Sequence, residues 1–229
     1  MPNNADVDNR ESLTLGAAML SAMGLQAGVG PNPPKDPGSQ LEESVRIDLG
    51  KRLGTLAPGQ QWTARRGALI TQYSQYEHLQ RLNQLVLSDP TLATTIGQDY
   101  LIRPDVVIGL ENVPTVNGME LMHAAVSCKW TIRSDRVQNI RHENNQMVRH
   151  RRGRQPHLVT VTAEPLPSRL ASIARGTGEV DAVYHLAYEE LHAAVLASNN
   201  LGQQAAWSEI TGQGRLLDYN LLADHLASW

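Results

Sequence analysis

The chain has 229 residues, of which 41% are apolar and 19% charged, and its formal net charge is −3. Enough apolar residues for a core, together with a charged surface, argue against a disordered, collagen-like or coiled-coil protein. The single cysteine excludes a disulfide framework and a cysteine-rich zinc site, and it fits a reducing, cytoplasmic environment. No apolar run is long enough to span a membrane, and the polar N-terminus is not typical of a secretory signal.

The first part of the chain is predicted to be helical. Apolar residues recur there at helical spacing in several segments, and one Pro- and Gly-rich segment predicts an irregular loop. We expect a single domain over residues 1–229, in which residues 1–38 form a partly irregular N-terminal arm. The predicted elements are a helix over Ser12–Leu25, a loop over Gly28–Gly38, a helix from Ser39, a helix over about Leu69–Leu87 with residues 62–66 leading into it, and a short helix from Pro90.

Later segments alternate between apolar, β-branched runs and helical patterns. The runs are continuously apolar, as in strands that are covered on both faces. This alternation predicts an α/β fold with a central mixed sheet flanked by helices. The predicted strands are Asp105–Leu110, His123–Ile132, His157–Glu164 and Asp181–Leu186; the predicted helices are Asp135–His150, short turns from Ser168, a helix from Ala187 and a last helix over Arg215–Trp229.

The basic residues are concentrated in one block. Residues 129–175 hold ten of the 20 lysines and arginines and only three acidic residues, so the block carries +7 and the rest of the chain −10. A positive block within an acidic protein favours a polyanionic partner, with nucleic acid as the leading candidate. The alternative is a solvated, arginine-rich helix without a partner.

A carboxylate and a lysine lie at the ends of two neighbouring predicted strands. Asp105 follows Pro104 at the start of one strand, and Lys129 lies near the end of the next. Such a pair can hold Mg²⁺ and a water against a phosphate, as in the PD-(D/E)XK nucleases. Only three lysines accompany 17 arginines, which suggests that Lys129 is selected for its compact ammonium group.

One position departs from the nuclease pattern. Ser127 stands where those enzymes carry an acid two residues before the lysine. Glu143 is the best second carboxylate, because helical geometry places it near the edge of the apolar side of its helix. The alternative is a structural Pro-Asp turn and a lysine on an edge strand.

The segment Arg133-Ser134-Asp135-Arg136 follows the lysine at a strand-to-helix junction. Arginine can bind guanine through O6 and N7, and aspartate can accept a hydrogen bond from cytosine N4. The segment could therefore read G·C pairs in the major groove. Helix capping by Asp135 is the alternative.

Residues 127–191, together with YEHLQRL, DYLIRPDVVI, PGSQLEE and NNADVDNRES, resemble the NgoMIV-type restriction endonucleases. The resemblance implies a restriction-endonuclease-like fold and a type II enzyme that cleaves GCCGGC after the first G, leaving 5′ CCGG overhangs. It also implies two Mg²⁺ ions per site, a homodimer or homotetramer acting on double-stranded DNA, and a cognate DNA methyltransferase as the genetic companion.

The resemblance also assigns residue roles. The rearranged active site falls on Asp105, Ser127, Lys129 and Glu143, with Glu42 as a further acid and Glu43 as an alternative register. Metal ligands would be Asp105, Glu143 and the backbone carbonyl of Cys128. Readers of the central CCGG would be Arg133, Asp135 and Arg136, with Ser134 in the same segment; readers of the outer G·C pair would be Arg169 and Asp6.

Two other functions are open at this point. A DNA-binding protein that does not cleave is suggested by Ser127 in place of the usual acid. An α/β protein that binds a small phosphorylated ligand would instead show saturable nucleotide binding and no salt-dependent affinity for DNA.

Overall fold

The computed structural model describes residues 4–26, 36–97, 99–132, 134–176 and 178–228. Helices α1 to α9 and strands β1 to β6 are defined within these ranges. The helices are Arg10–Ala22, Pro37–Leu56, Glu77–Ser88, Pro90–Ile96, Ser134–His150, Pro167–Ala174, Tyr188–Ala197, Leu201–Gly212 and Leu222–Ser228; the strands are Trp62–Arg66, Val106–Leu110, Leu121–Lys129, His157–Thr162, Ala182–His185 and Leu216–Asp218.

Within the described residues the strands form one six-stranded sheet in the order β1-β2-β3-β4-β5-β6. The pairs β1/β2 and β2/β3 are antiparallel, whereas β3, β4, β5 and β6 are parallel. The sheet is therefore mixed, and helices cover both of its faces. The predicted α/β class with a central mixed sheet is confirmed.

Alternation along the strands divides the core into two sides. Val106, Val126 and Tyr184 face α2 and α9. Their neighbours on the same strands, such as Val107 and Val183, face the opposite layer, which contains α1, α3, α5, α6, α7 and α8. Both faces of the central strands are buried, which explains their continuously apolar sequences.

Local sequence sets the helix starts. Asn9 accepts a hydrogen bond from the Ser12 amide at 3.0 Å, and Asp36 accepts one from the Ser39 amide at 3.1 Å. Pro37 occupies the first turn of α2, where its missing N–H costs nothing. These caps fix where α1 and α2 begin. Helix α2 starts at Pro37, and residues 28–35 of the predicted loop lie outside the described residues.

The four predicted strands are confirmed to within a few residues, but three other expectations are wrong. Residues 62–66 form edge strand β1, because they pair in register with β2. The segment predicted as one helix over Leu69–Leu87 begins with two 3₁₀ turns, and α3 starts only at Glu77. Arg215–Trp229 is not one helix, since Leu216–Asp218 pairs with β5 as strand β6.

The described residues contain no helix with both the length and the apolar character needed to cross a membrane.

Candidate active site

Asp105 and Lys129 form an ion pair at the ends of β2 and β3. Lys129 Nζ lies 2.6 Å from Asp105 Oδ2, and the Cys128 amide donates to the same oxygen at 2.7 Å. The register Val106↔Val126 brings the residue just before β2 level with the end of β3. Antiparallel pairing therefore brings together two residues that are 24 positions apart.

Glu143, on α5, lines the same cleft as Lys129, and part of its surface is exposed. Partial burial raises the pKa of Glu143; the positive charge of Lys129 opposes this shift and the negative charge of Asp105 adds to it. The two carboxylates are thus close enough to interact electrostatically.

Glu42 lines the same cleft from the first turns of α2. Arg66, at the end of β1, binds its Oε2 through Nη2 at 2.8 Å and through Nε at 3.2 Å. Glu43 binds Arg46 on the same helix at 2.6 Å and lies 3.7 Å from Arg66 Nη1. Of the two acids, Glu42 is the one among the residues that line the cleft.

The sequence interpretation missed Arg66, because residues 62–66 are polar enough to be taken as a lead-in to a helix. The sequence does contain a signal for a strand that carries Arg66: the arginines Arg65 and Arg66 end a five-residue run that includes Trp62 and Thr63. In the structure Arg66 connects β1 to Glu42 and to Ser39 Oγ, the latter at 2.6 Å. It therefore positions the N-terminal turns of α2 at the cleft.

The cleft has a volume of about 510 Å³ and is lined mainly by polar groups. Ser127 points to the same side of the sheet as Lys129, because residues two apart on a strand share a face, and it is buried. Asn139 lies one helical turn before Glu143 and was not singled out from the sequence. The cleft is lined by Asp36, Pro37, Gly38, Glu42, Cys128, Lys129, Trp130, Thr131, Asn139, Ile140 and Glu143.

The oxygen donors of this cleft fit a magnesium ion. In the described part of the chain, Asp105 Oδ1 accepts no hydrogen bond, and Glu143 forms neither a hydrogen bond nor an ion pair. The N–H and C=O of a strand residue point to the same edge, so the carbonyl of Cys128 faces the side of Asp105. Burial raises the pKa of the Cys128 thiol, which leaves that carbonyl as the residue's available ligand.

Among the described residues, no group of three or more His, Cys, Asp or Glu side chains could hold a metal ion as they stand. Mg²⁺ does not require three protein side chains as ligands, because it keeps several waters and binds through one or two carboxylates together with substrate phosphates. The donor set therefore suits Mg²⁺ at a phosphate better than a metal enclosed by protein.

The segment that holds most of the predicted DNA-reading residues joins β3 to α5 along the chain. Arg133 lies outside the described residues, and α5 begins with the segment that contains Ser134, Asp135 and Arg136. Arg169 donates to the carbonyl of Ile132 at 3.1 Å, directly before that segment. Its other nitrogen binds Asp6 Oδ2 at 2.5 Å.

Asn4 and Asp6, close to the first described residue, contact groups beside this junction. Asn4 is 2% exposed and donates to the carbonyl of Ala163 at 3.0 Å. The arm therefore places Asp6 beside Arg169, although 163 positions separate the two residues. The two predicted readers of the outer base pair thus lie together.

A family model described as "NgoMIV restriction enzyme" matches residues 1–117 and 111–226 of the chain. The type II restriction enzyme NgoMIV of Neisseria gonorrhoeae is 46% identical over an alignment that covers 57% of this chain and 54% of that protein. The aligned part thus spans about half the length of this curated relative.

Two solved structures are similar at greater distance. A DNA complex of the pre-specific restriction endonuclease BsaWI has a TM-score of 0.42 and 14% identity, covering 85% of this chain and 61% of that one. The restriction endonuclease PspGI in complex with substrate DNA has a TM-score of 0.41 and 10% identity, covering 96% and 73%. At these scores neither structure assigns a residue role.

Proposed function

Because the chain belongs to the NgoMIV restriction enzyme family, we propose that it is a type II restriction endonuclease that hydrolyses double-stranded DNA at a palindromic site. One observation carries the proposal: Lys129, which is ion-paired with Asp105, lines one polar cleft together with Glu143, and both charges act on the Glu143 carboxylate. This arrangement has the charges needed to bind and polarise a phosphodiester, and the arginine-rich junction lies at the end of the same strand.

The proposed target is GCCGGC, cleaved after the first G to leave 5′ CCGG overhangs. Arg133, Asp135 and Arg136 would read the central CCGG, with Ser134 in the same segment. The contact of Arg169 with Ile132 supports a common reading surface, since it places this side chain beside that segment. Asp6 and Arg169 would read the outer G·C pair.

In the proposed site, Asp105, Glu143 and the Cys128 carbonyl would hold Mg²⁺, with two ions per site and Glu42 as the additional acid. When bound, the metal would neutralise charge that develops on the phosphate. The protein's own groups have defined tasks. Asp105 holds the ammonium group of Lys129 in place at 2.6 Å, and Lys129 orients the attacking water and stabilises the departing negative charge. Products would carry 5′-phosphate and 3′-hydroxyl ends.

A palindromic target requires two equivalent reading surfaces, so the active form would be at least a homodimer. A homotetramer that acts on two sites is the larger alternative. A cognate DNA methyltransferase would protect the host DNA, and both proteins would act in the cytoplasm.

Plasmid digestion tests the function. We expect the wild-type protein to linearise a plasmid that carries GCCGGC in Mg²⁺ but not in EDTA, and the Asp105→Ala variant to leave it intact. Sequencing of the cut ends then gives the site and the cleavage position. Specific binding of the GCCGGC duplex without a nick in Mg²⁺ or Mn²⁺ would identify a non-cleaving DNA-binding protein instead.

A further inference from the structure

Ile132 is the last described residue before the proposed reading segment, and side chains hold both of its backbone polar groups. Its amide donates to Glu164 Oε2 at 2.7 Å. Its carbonyl accepts a hydrogen bond from Arg169 Nη1 at 3.1 Å. The Ile132 side chain is fully buried. The amide, the carbonyl and the side chain of Ile132 are therefore all held in place between the end of β3 and the start of α5.

Glu164 is the buried centre of this arrangement. Its side chain is 0% exposed, and its second oxygen accepts the Leu166 amide at 3.1 Å. Its own carbonyl accepts a hydrogen bond from His185 Nε2 at 3.1 Å. Glu164 thus connects the end of β4, the start of α6 and the residue before the reading segment.

A carboxylate in this position is costly. Burial raises the pKa of Glu164 to about 7, although the amides of Ile132 and Leu166 and the charge of Arg169 oppose the shift. Arg169 Nη1 lies 3.8 Å from Glu164 Oε1. An apolar residue would avoid the desolvation cost but would leave the Ile132 and Leu166 amides without this acceptor, so the carboxylate serves to bind these two amides.

The two residues that bind the Ile132 backbone differ in their exposure to solvent. The Arg169 side chain is 23% exposed and is itself a proposed base reader, so DNA would compete for its hydrogen bonds. Glu164 has no access to solvent and can bind only protein groups. It is therefore suited to holding the junction in place whether or not DNA is bound.

We propose that Glu164 is a positioning residue for base recognition: it anchors the Ile132 amide and thereby fixes where the Arg133-Ser134-Asp135-Arg136 segment leaves the sheet. The inference rests on the proposed function, since it concerns the reading of bases. Base contacts depend on bidentate geometry, so a small displacement of this junction weakens specific binding more than phosphate binding.

Glu164→Gln tests this directly. The amide is the same size as the carboxylate, but its NH₂ group must face an N–H of either Ile132 or Leu166, where it cannot accept a hydrogen bond. Glu179→Gln is the matched control, because Glu179 also holds α5, through Arg141 Nε at 2.7 Å, but away from the junction. Affinities are measured in EDTA for the GCCGGC duplex, a duplex with one central pair exchanged, and an unrelated duplex.

We expect Glu164→Gln to weaken binding of the GCCGGC duplex about tenfold or more, the range of one lost base contact, and to leave the unrelated duplex within about twofold. Glu179→Gln should retain the wild-type ratio between the duplexes. Hydrogen exchange of a peptide spanning residues 130–138 should be faster in Glu164→Gln than in the control. If Glu164→Gln does not fold, Glu164→Asp serves instead, because its shorter side chain cannot reach both amides.

The outcomes separate the two hypotheses. A wild-type protein that does not distinguish GCCGGC from the unrelated duplex contradicts the proposed specificity, and the inference with it. A wild-type protein that discriminates, together with a folded Glu164 variant that keeps the full ratio or loses all duplexes equally, contradicts the positioning role alone.

Discussion

Glu143 illustrates how a single helix position brings a carboxylate to the proposed metal site. Its neighbours at Ile140 and Met147 are buried and hold α5 against the sheet, whereas Glu143 lies at the edge of that apolar side. There it meets one positive group, Lys129, and one negative group, Asp105. Its pKa is raised mainly because partial burial disfavours the charged carboxylate, and a divalent cation nearby would favour that charged form.

Glu143→Gln is expected to abolish cleavage and leave specific binding largely intact. The amide keeps the shape of the side chain but removes a negative oxygen ligand, so the proposed metal site loses affinity while the reading segment is unchanged. Cleavage of a GCCGGC plasmid at saturating protein is compared with duplex affinity in EDTA. Turnover at the wild-type rate would remove Glu143 from the site.

At the scale of elements, the cleft depends on contacts between segments that are distant in sequence. Edge strand β1 brings Arg66 to Glu42 on α2, and the ladder between β2 and β3 brings Asp105 to Lys129. The ion pair between Arg66 and Glu42 prevents the Glu42 side chain from turning away from the cleft.

Arg66→Ala is expected to lower the single-turnover cleavage rate by about tenfold while costing at most about 1 kcal/mol of stability, because the ion pair is partly exposed. Arg46→Ala is the matched control: it removes an ion pair to Glu43 on the same helix but outside the cleft. Cleavage time courses and thermal melts of both variants provide the measurement. Equal rates in the two variants would show that Arg66 does not act through Glu42.

The four central strands of the sheet could be predicted because they are buried on both faces and have continuously apolar sequences. Trp62–Arg66 and Leu216–Asp218 could not, since they lie at the two edges of the sheet, where burial is partial and the pattern is short. Part of the candidate site could also be predicted from the sequence. Asp105, Lys129 and Glu143 follow from spacing and helical geometry, but Arg66 and Glu164 required tertiary contacts that no local pattern encodes.

Considered as a whole, the molecule keeps several titratable groups away from water. His123 and His185 are nearly or fully buried, and burial lowers the pKa of each to about 4. Burial also lowers the pKa of His157 to about 4. These residues lie within the sheet, so they are hydrogen-bonding core groups and not the metal ligands that histidines often provide.

This burial predicts acid sensitivity of the fold. A histidine whose pKa is lowered on folding binds its proton more tightly in the unfolded chain, so stability is lost as the pH falls from about 6.5 towards 4. His123 is the clearest case, since its Nε2 donates to the Leu226 carbonyl and its Nδ1 finds no partner among the described residues. A proton on Nδ1 would have no acceptor there, and the expected loss is on the order of 2–3 kcal/mol.

His123→Gln should reduce the loss of stability at acidic pH, because glutamine can still donate to Leu226 but cannot be protonated. His142→Gln, at an exposed position on α5, is the control and should follow the wild-type curve. Because the substitution also alters a buried contact, the slope of Tm between pH 6.5 and 4.5 is compared and not Tm itself. Parallel slopes for wild type and His123→Gln would contradict the assignment and place the acid sensitivity on other groups.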